Sequence, residues 1–207
     1  CDLGIASEGS FGAHPSIVFA NADDEFLIFI DTKNNLEIIA RELSLDTNFN
    51  GKKITSEKEL FDFAETVKFP SHGLILKPSK GDNTNVIKGI ITQVQLEDAF
   101  HTLMKSSVSI YVETDMRAMY NPSRMMVIAT ATRKLVDKIK SNCPECQTPG
   151  FSVTDVKNGL ECDLCGAPTK SILSLIYSCQ KCDVTKEALY PHNKTKEDPM
   201  YCDYCNP

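Results

Sequence analysis

The sequence predicts a mixed α/β N-terminal domain, a sheet with about three helices, followed by two small tandem zinc ribbons. Two observations predict it. Eight of the nine cysteines fall into four C-x2-C pairs, Cys143/Cys146, Cys162/Cys165, Cys179/Cys182 and Cys202/Cys205. Ahead of them, segments with strand periodicity alternate with segments of helix periodicity. At 207 residues, with 42% hydrophobic and 24% charged residues, the chain can bury one medium core plus an appendage. The expected division is a mixed α/β domain over residues 1–141 and a cysteine-bearing domain over residues 142–207.

Element by element, residues 3–6 form a short apolar strand expected to end in a Gly-rich loop over residues 7–12. Residues 25–31 and 36–43 flank Lys33-Asn34-Asn35 and read as a β-hairpin. Ser56 with Glu59 is a capping-box signature, and Leu60, Phe61, Ala64 and Val67 share one face of the helix that follows. Residues 73–76 and 86–91 read as strands. Thr92 with Gln95 opens a second helix whose stripe is Leu96, Ala99, Phe100 and Leu103, and residues 109–112 form another strand. Asn121 as N-cap and Pro122 at the first helical position begin a third, long helix reaching about Lys140. Its expected apolar face is Met125, Ile128, Leu135, Val136 and Ile139.

The cysteine pairs point to metal. Two thiolates from one tight turn supply adjacent vertices of a tetrahedron, and a hairpin-sized insert brings a second turn round to supply the others. Inserts of 15 residues between the first two pairs and 19 between the last two fit four-cysteine zinc sites paired in sequence. The 13 residues between Cys165 and Cys179 leave a shared middle pair, or a crossed arrangement, open. A disulfide framework needs an oxidising compartment, and with no secretory signal in view the pairs argue for reduced thiols and a cytoplasmic protein. Iron is the rival metal. All-thiolate ligation leaves no position for water or substrate, so the zinc ions are expected to be structural. His192 reads as an exposed loop histidine. The chain opens at Cys1 rather than Met, and we expect its natural start upstream.

Net charge is −6. From Cys143 onward there are six lysines against nine acidic residues, and before it sixteen basic against nineteen acidic. Neither part carries the basic excess that phosphate backbones demand, so nucleic acid is disfavoured. No apolar run approaches the length of a membrane span.

Three constellations are candidates for chemistry. In the first, Gly9 and Gly12 would let backbone approach a phosphate, Glu8 would hold a divalent cation such as magnesium, and Ser10 and His14 lie alongside. The bland alternative is an ordinary Gly/Ser loop. The second is an anion site at the start of the last helix, with Arg117, Asn121 and Arg124 near Glu113 and Asp115. Its alternative is a capped helix whose arginines merely pair with those carboxylates. The third is the polar run Arg41, Glu42, Asp46, Thr47 and Asn48, in which the first two would point to opposite faces of a strand. His72, before a strand, stands alone.

The residues LGIASEGSFG at 3–12, Tyr120-Asn121-Pro122-Ser123-Arg124 and the ending Tyr201-Cys202-Asp203-Tyr204-Cys205-Asn206-Pro207 resemble, together and over nearly the whole chain, an uncharacterised bacterial family classed as a domain of unknown function. That resemblance implies an additional segment before the Gly-rich stretch and carries no activity. A fainter likeness, in Ala6-Ser7-Glu8-Gly9 and the order of elements, is to the inosine/xanthosine triphosphate pyrophosphatase superfamily. It would make Glu8 a magnesium-binding or water-activating carboxylate and let Arg117 or Arg124 contact phosphate. Two readings follow. One is a magnesium-dependent phosphohydrolase acting on a nucleotide-like anion, which requires Glu8, Arg117 and Arg124 to converge in one pocket. The other is a non-catalytic module whose acidic ribbons dock a basic protein surface.

Overall fold

The computed structural model describes Cys1–Pro207 throughout. Three helices and three sheets give the mixed α/β class. By internal packing the chain forms two compact units. One is Ile5–Ile28 with Ile39–Arg133, and the other is Cys1–Gly4, Phe29–Ile38 and Lys134–Pro207. The cysteine-bearing unit thus takes in short N-terminal stretches as well as the C-terminal third.

Three strands, β1 (Leu3–Ala13), β2 (Asn21–Asp31) and β3 (Leu36–Ser44), make a sheet in that order. The tight β2–β3 turn was expected. Asn35 takes the left-handed conformation there (φ 53°), and the Asp31 carboxylate accepts the Asn34 N–H at 3.0 Å. The Gly-rich stretch, by contrast, is no loop: residues 7–12 continue β1 without a break. Gly9 marks a close approach rather than flexibility, whereas Gly12 faces open space.

In the first unit, β4 (Gly51–Ile54), β5 (Leu74–Lys77), β6 (Ile87–Ile90) and β7 (Ile110–Thr114) form an antiparallel sheet in the order β4-β7-β5-β6. Strand alternation gives it two different faces. Ile54, Leu74, Leu76, Ile90, Ile110 and Val112 are buried in one core with Leu60, Phe63, Ala64, Leu96, Ala99, Phe100 and Leu103. The helical members of that list belong to α1 (Glu57–Thr66) and α2 (Gln93–Met104); the α2 stripe holds as predicted, whereas in α1 Phe63 takes the buried place expected of Phe61, which is only partly buried. Both caps are present. Thr92 and Gln95 close a full capping box, while Glu59 reaches back to the Thr55 N–H at 2.8 Å. Residues between these apolar ones, Ile75, Tyr111 and Glu113 among them, face away from α1 and α2.

The last helix, α3 (Pro122–Lys140), starts where expected, but its buried face is rotated. Val127, Ala131 and Leu135 are buried, whereas Met125 and Val136 are 47% and 38% exposed. Arg124 explains the rotation: its guanidinium must turn inward to reach a buried carboxylate, which fixes the helix's azimuth.

In the second unit, β8 (Ser152–Asn158), β9 (Ile172–Ser178) and β10 (Thr185–Leu189) form an antiparallel sheet in the order β10-β9-β8. Its core is meagre: Phe151, Cys143 and Cys179, with Tyr177 and Val184 packed against them. No helix of the chain is long and apolar enough to cross a membrane.

Candidate functional site

The four C-x2-C turns come together in two groups. Cys143, Cys146, Cys179 and Cys182 form one and Cys162, Cys165, Cys202 and Cys205 the other, with the sulfurs of each group within 4.8 Å of one another. The pairing is therefore crossed rather than sequential. The three-stranded meander dictates this. The first turn precedes β8 and the third joins β9 to β10, so both sit at one end of the sheet; the second and fourth sit at the other. Sequential pairing would have to bridge a seven-residue strand, on the order of 20 Å.

Closest sulfur separations are 3.6 Å for Cys143–Cys182, 3.6 Å for Cys146–Cys179, 3.9 Å for Cys162–Cys205 and 3.6 Å for Cys165–Cys202. A disulfide needs about 2.05 Å. Four sulfurs about 2.3 Å from a common tetrahedral centre lie about 3.8 Å apart, which is the separation seen. Three of the turns share one backbone pattern. The first cysteine's N–H donates to the carbonyl five residues on, in Thr148, Ala167 and Val184. The residue four on takes positive φ: Gln147 at 61°, Gly166 at 71° and Asp183 at 56°. Only one of these three is glycine, and the others bear the strain.

Electrostatics give the same answer. Beside the Thr148 hydroxyl, at 3.2 Å, Cys146 is held down to about 6. Cys182 accepts a bond from the Val184 N–H that lowers it, but desolvation and the neighbouring thiols outweigh this and push it up to about 12. The second group splits likewise. The Cys205 N–H brings Cys202 down to about 7, and Cys165 with the other thiols raises Cys205 to about 12. Four crowded thiols cannot ionise together unless a cation joins them. Each group is thus built to hold one metal ion.

The first unit holds a different kind of site. A cavity of about 600 Å³ opens on the sheet face turned away from α1 and α2. Ile75, Tyr111 and Glu113 line it from the strands, Phe11 and Phe49 form an aromatic wall, and Lys80, Lys88, Arg117 and Arg124 supply charge. Both arginines are gripped from behind. Arg117 meets the fully buried Asp115 through Nε at 2.9 Å and Nη2 at 2.6 Å, with its guanidinium over Tyr120. Arg124 donates from Nε to the fully buried Glu25 at 2.6 Å and from Nη1 to the Met116 carbonyl at 2.6 Å, and lies over the Phe11 ring. Of the two lining carboxylates, Glu113 bonds Lys77 at 2.8 Å and Asp115 bonds Arg117. Lys80 and Lys88 have no acidic partner, so the cavity is net positive.

Residues 1–207 match a protein family described as a domain of unknown function, DUF6671. The chain belongs to that family. No curated protein and no solved structure matches it. Nothing in these comparisons supports the fainter likeness to the inosine/xanthosine triphosphate pyrophosphatase superfamily.

Within this DUF6671 chain, the residues singled out from the sequence are partly gathered and partly dispersed. Arg117 and Arg124 share the cavity. Asn121 is fully buried behind it, its Oδ1 accepting the Arg124 N–H at 3.0 Å and its Nδ2 donating to Asn48 at 2.8 Å. It sets the start of α3 and does not line the cavity. Glu8 and Ser10 do not join the arginines. Gly9 and Phe11 face Arg124, so by strand alternation Glu8 and Ser10 point to the opposite side of β1. There Glu8 lies near Phe26 and Ser10 near Asp24. Arg41 of the third constellation is tied to Asp24 by two bonds of 2.7 Å.

His72 has a structural use. Ser71 spends its hydroxyl proton on the Lys68 carbonyl, so it accepts from His72 Nδ1, which leaves Nε2 as an acceptor. That nitrogen takes the Ser123 N–H at 3.2 Å, a second cap on α3. Lys80, Lys88, Asp23 and Glu25 are the site residues that sequence reasoning missed. Lys80 comes from a polar connection without periodicity, and Lys88 from a short strand, β6, whose exposed face gave no sign of a site. Of the two acids, Glu25 was read simply as the first residue of a strand and Asp23 fell before it; the strand begins at Asn21, so their i, i+2 spacing places them on one face.

Proposed function

We propose that this chain is a zinc-stabilised protein that binds a small, multiply charged anion of the phosphate type in the basic cavity. One observation carries the reading: two arginines, each locked by a fully buried carboxylate, present their remaining N–H groups to the same cavity as two unpaired lysines. Guanidinium groups fixed in this way lose little freedom on binding an oxyanion and can meet it in bidentate fashion. Zinc is the metal that all-thiolate tetrahedral ligation favours, and with no open position it serves the fold. Eight reduced thiols suit a cytoplasmic setting.

The magnesium-dependent phosphohydrolase reading fares less well. Glu8 faces away from the arginines, and the carboxylates that do line the cavity are each bonded to a cation. Docking of a basic protein surface to the acidic cysteine-bearing part is the alternative, supported by the charge each four-thiolate zinc adds.

Calorimetric titration of inorganic sulfate, phosphate and nucleoside triphosphates into native protein tests the proposal, alongside phosphate release with magnesium. The expected result is binding that Arg117→Ala weakens about tenfold or more and Glu8→Ala leaves unchanged. Turnover lost in Glu8→Ala would restore the hydrolase reading; no binding of any anion would leave the docking module.

A further inference from the structure

Beneath Arg124 lie two carboxylates for one cation. Asp23 and Glu25 stand two apart on β2 and so share a face, and both are fully buried. Glu25 spends Oε1 on Arg124; its Oε2 and both oxygens of Asp23 meet no hydrogen-bond donor. The backbone at Gly9 seals the site from the β1 side. A Cβ there would fall 2.5 Å from Arg124 Nη2 and 2.5 Å from Glu25 Oε1. Phe11 closes over the guanidinium, and Arg124 is the charge that α3 brings to the group.

Two buried negative charges against one positive charge leave an uncompensated anion that burial makes costly. The least costly remedy is a proton. We infer that Asp23 and Glu25 hold one proton between them, and that this proton governs how strongly the cavity holds its anion. With the proton in place the buried group is neutral, Glu25 balancing Arg124, and the cavity keeps the pull of Lys80, Lys88 and Arg117. With the proton lost, the group is negative directly behind Arg124 and opposes the ligand. Reciprocally, a bound anion draws a proton onto the pair.

The other charges around Asp23 do not undo this. On β2 itself Asp24 adds negative charge but is tied outward to Arg41; on β3 the half-buried Glu42 lies in the same alternation as Ile38 and Ala40. Burial first, then Glu25, raises Asp23 to about 7, with Arg124 pulling the other way. The proton is therefore exchanged near neutrality.

This inference rests on the anion-binding reading above. The test uses sulfate, which does not itself titrate near neutrality, with binding measured on native zinc-loaded protein from pH 5.5 to 8.5. Sulfate affinity should fall about tenfold between pH 6 and pH 8, with proton uptake visible as a dependence of heat on buffer. In Asp23→Asn, which keeps the neutral shape, affinity should stay at its low-pH level throughout. PH-independent binding to native protein, or an unchanged pH dependence in Asp23→Asn, would overturn this inference alone. Absence of sulfate binding at every pH would overturn the anion site along with it. Should Asp23→Asn not fold, carboxyl carbon NMR of the native protein decides: an Asp23 resonance titrating in the ordinary carboxylate range, rather than near neutrality, overturns the shared proton.

Discussion

The sheet β4-β7-β5-β6 and the sheet β10-β9-β8 solve the same problem with opposite means. The first buries a continuous apolar core beneath two helices. The second has few buried apolar side chains besides its cysteines, and leaves Val156 and Leu189 45% and 56% exposed. Small sheets without a covering helix cannot bury enough surface to balance the entropy of ordering the chain. Two groups of four thiols, each placed to bind one ion, can supply what apolar area does not. The comparison teaches that the cysteines are the substitute for a core, and it predicts that each region fails by its own cause.

The largest effect should come from removing the metal. Structural zinc in small domains contributes on the order of 10 kcal/mol. Strong chelation with mild oxidation should abolish amide protection through β8, β9 and β10 while α1, α2 and β4 to β7 stay protected. Simultaneous collapse of both regions would break the comparison. The mirror experiment is Leu74→Ala, deep in the apolar core, where about 2–5 kcal/mol should be lost to denaturant with metal content unchanged.

A smaller effect belongs to Gly9→Ala. The added methyl must displace the Arg124–Glu25 pair, costing about 1–3 kcal/mol, and anion affinity should drop with stability. Retention of both in the variant would mean that the pair relaxes freely.

The smallest is the pH response of His72. Burial, then Lys68, lowers its affinity for a proton below the ordinary histidine value of 6.5. The unfolded chain therefore takes up the proton first, and stability should decline as pH falls below 6.5. His72→Gln should flatten that slope in thermal melts; an identical slope would place the titration elsewhere.

What could be read from the sequence follows from how local each cause is. The α2 capping box and its stripe were legible because cap and stripe lie within a dozen consecutive residues. The cysteine ligands were legible from spacing, but their partners were not. Pairing depends on which end of a sheet each turn occupies, and β8 and β10 are too polar to announce themselves as strands. Residues 7–12 misled because glycine has two uses. Its meaning at Gly9 comes from Arg124, more than a hundred positions away. The cavity was half visible for the same reason: Arg117 and Arg124 sit beside a helix start, whereas Lys80, Lys88, Asp23 and Glu25 join them only through tertiary folding.

The crossed arrangement of thiols also imposes an order on biosynthesis. As the chain emerges from the ribosome, the first group has all its thiols once Cys182 has left the tunnel, and the second only once Cys205 has. In that interval Cys162 and Cys165 are a bare dithiol between two liganded turns, open to oxidation or to a wrong metal. The stage between the emergence of Cys182 and that of Cys205 is thus the vulnerable one, and a cell short of the metal or under oxidative stress would lose nascent chains there first.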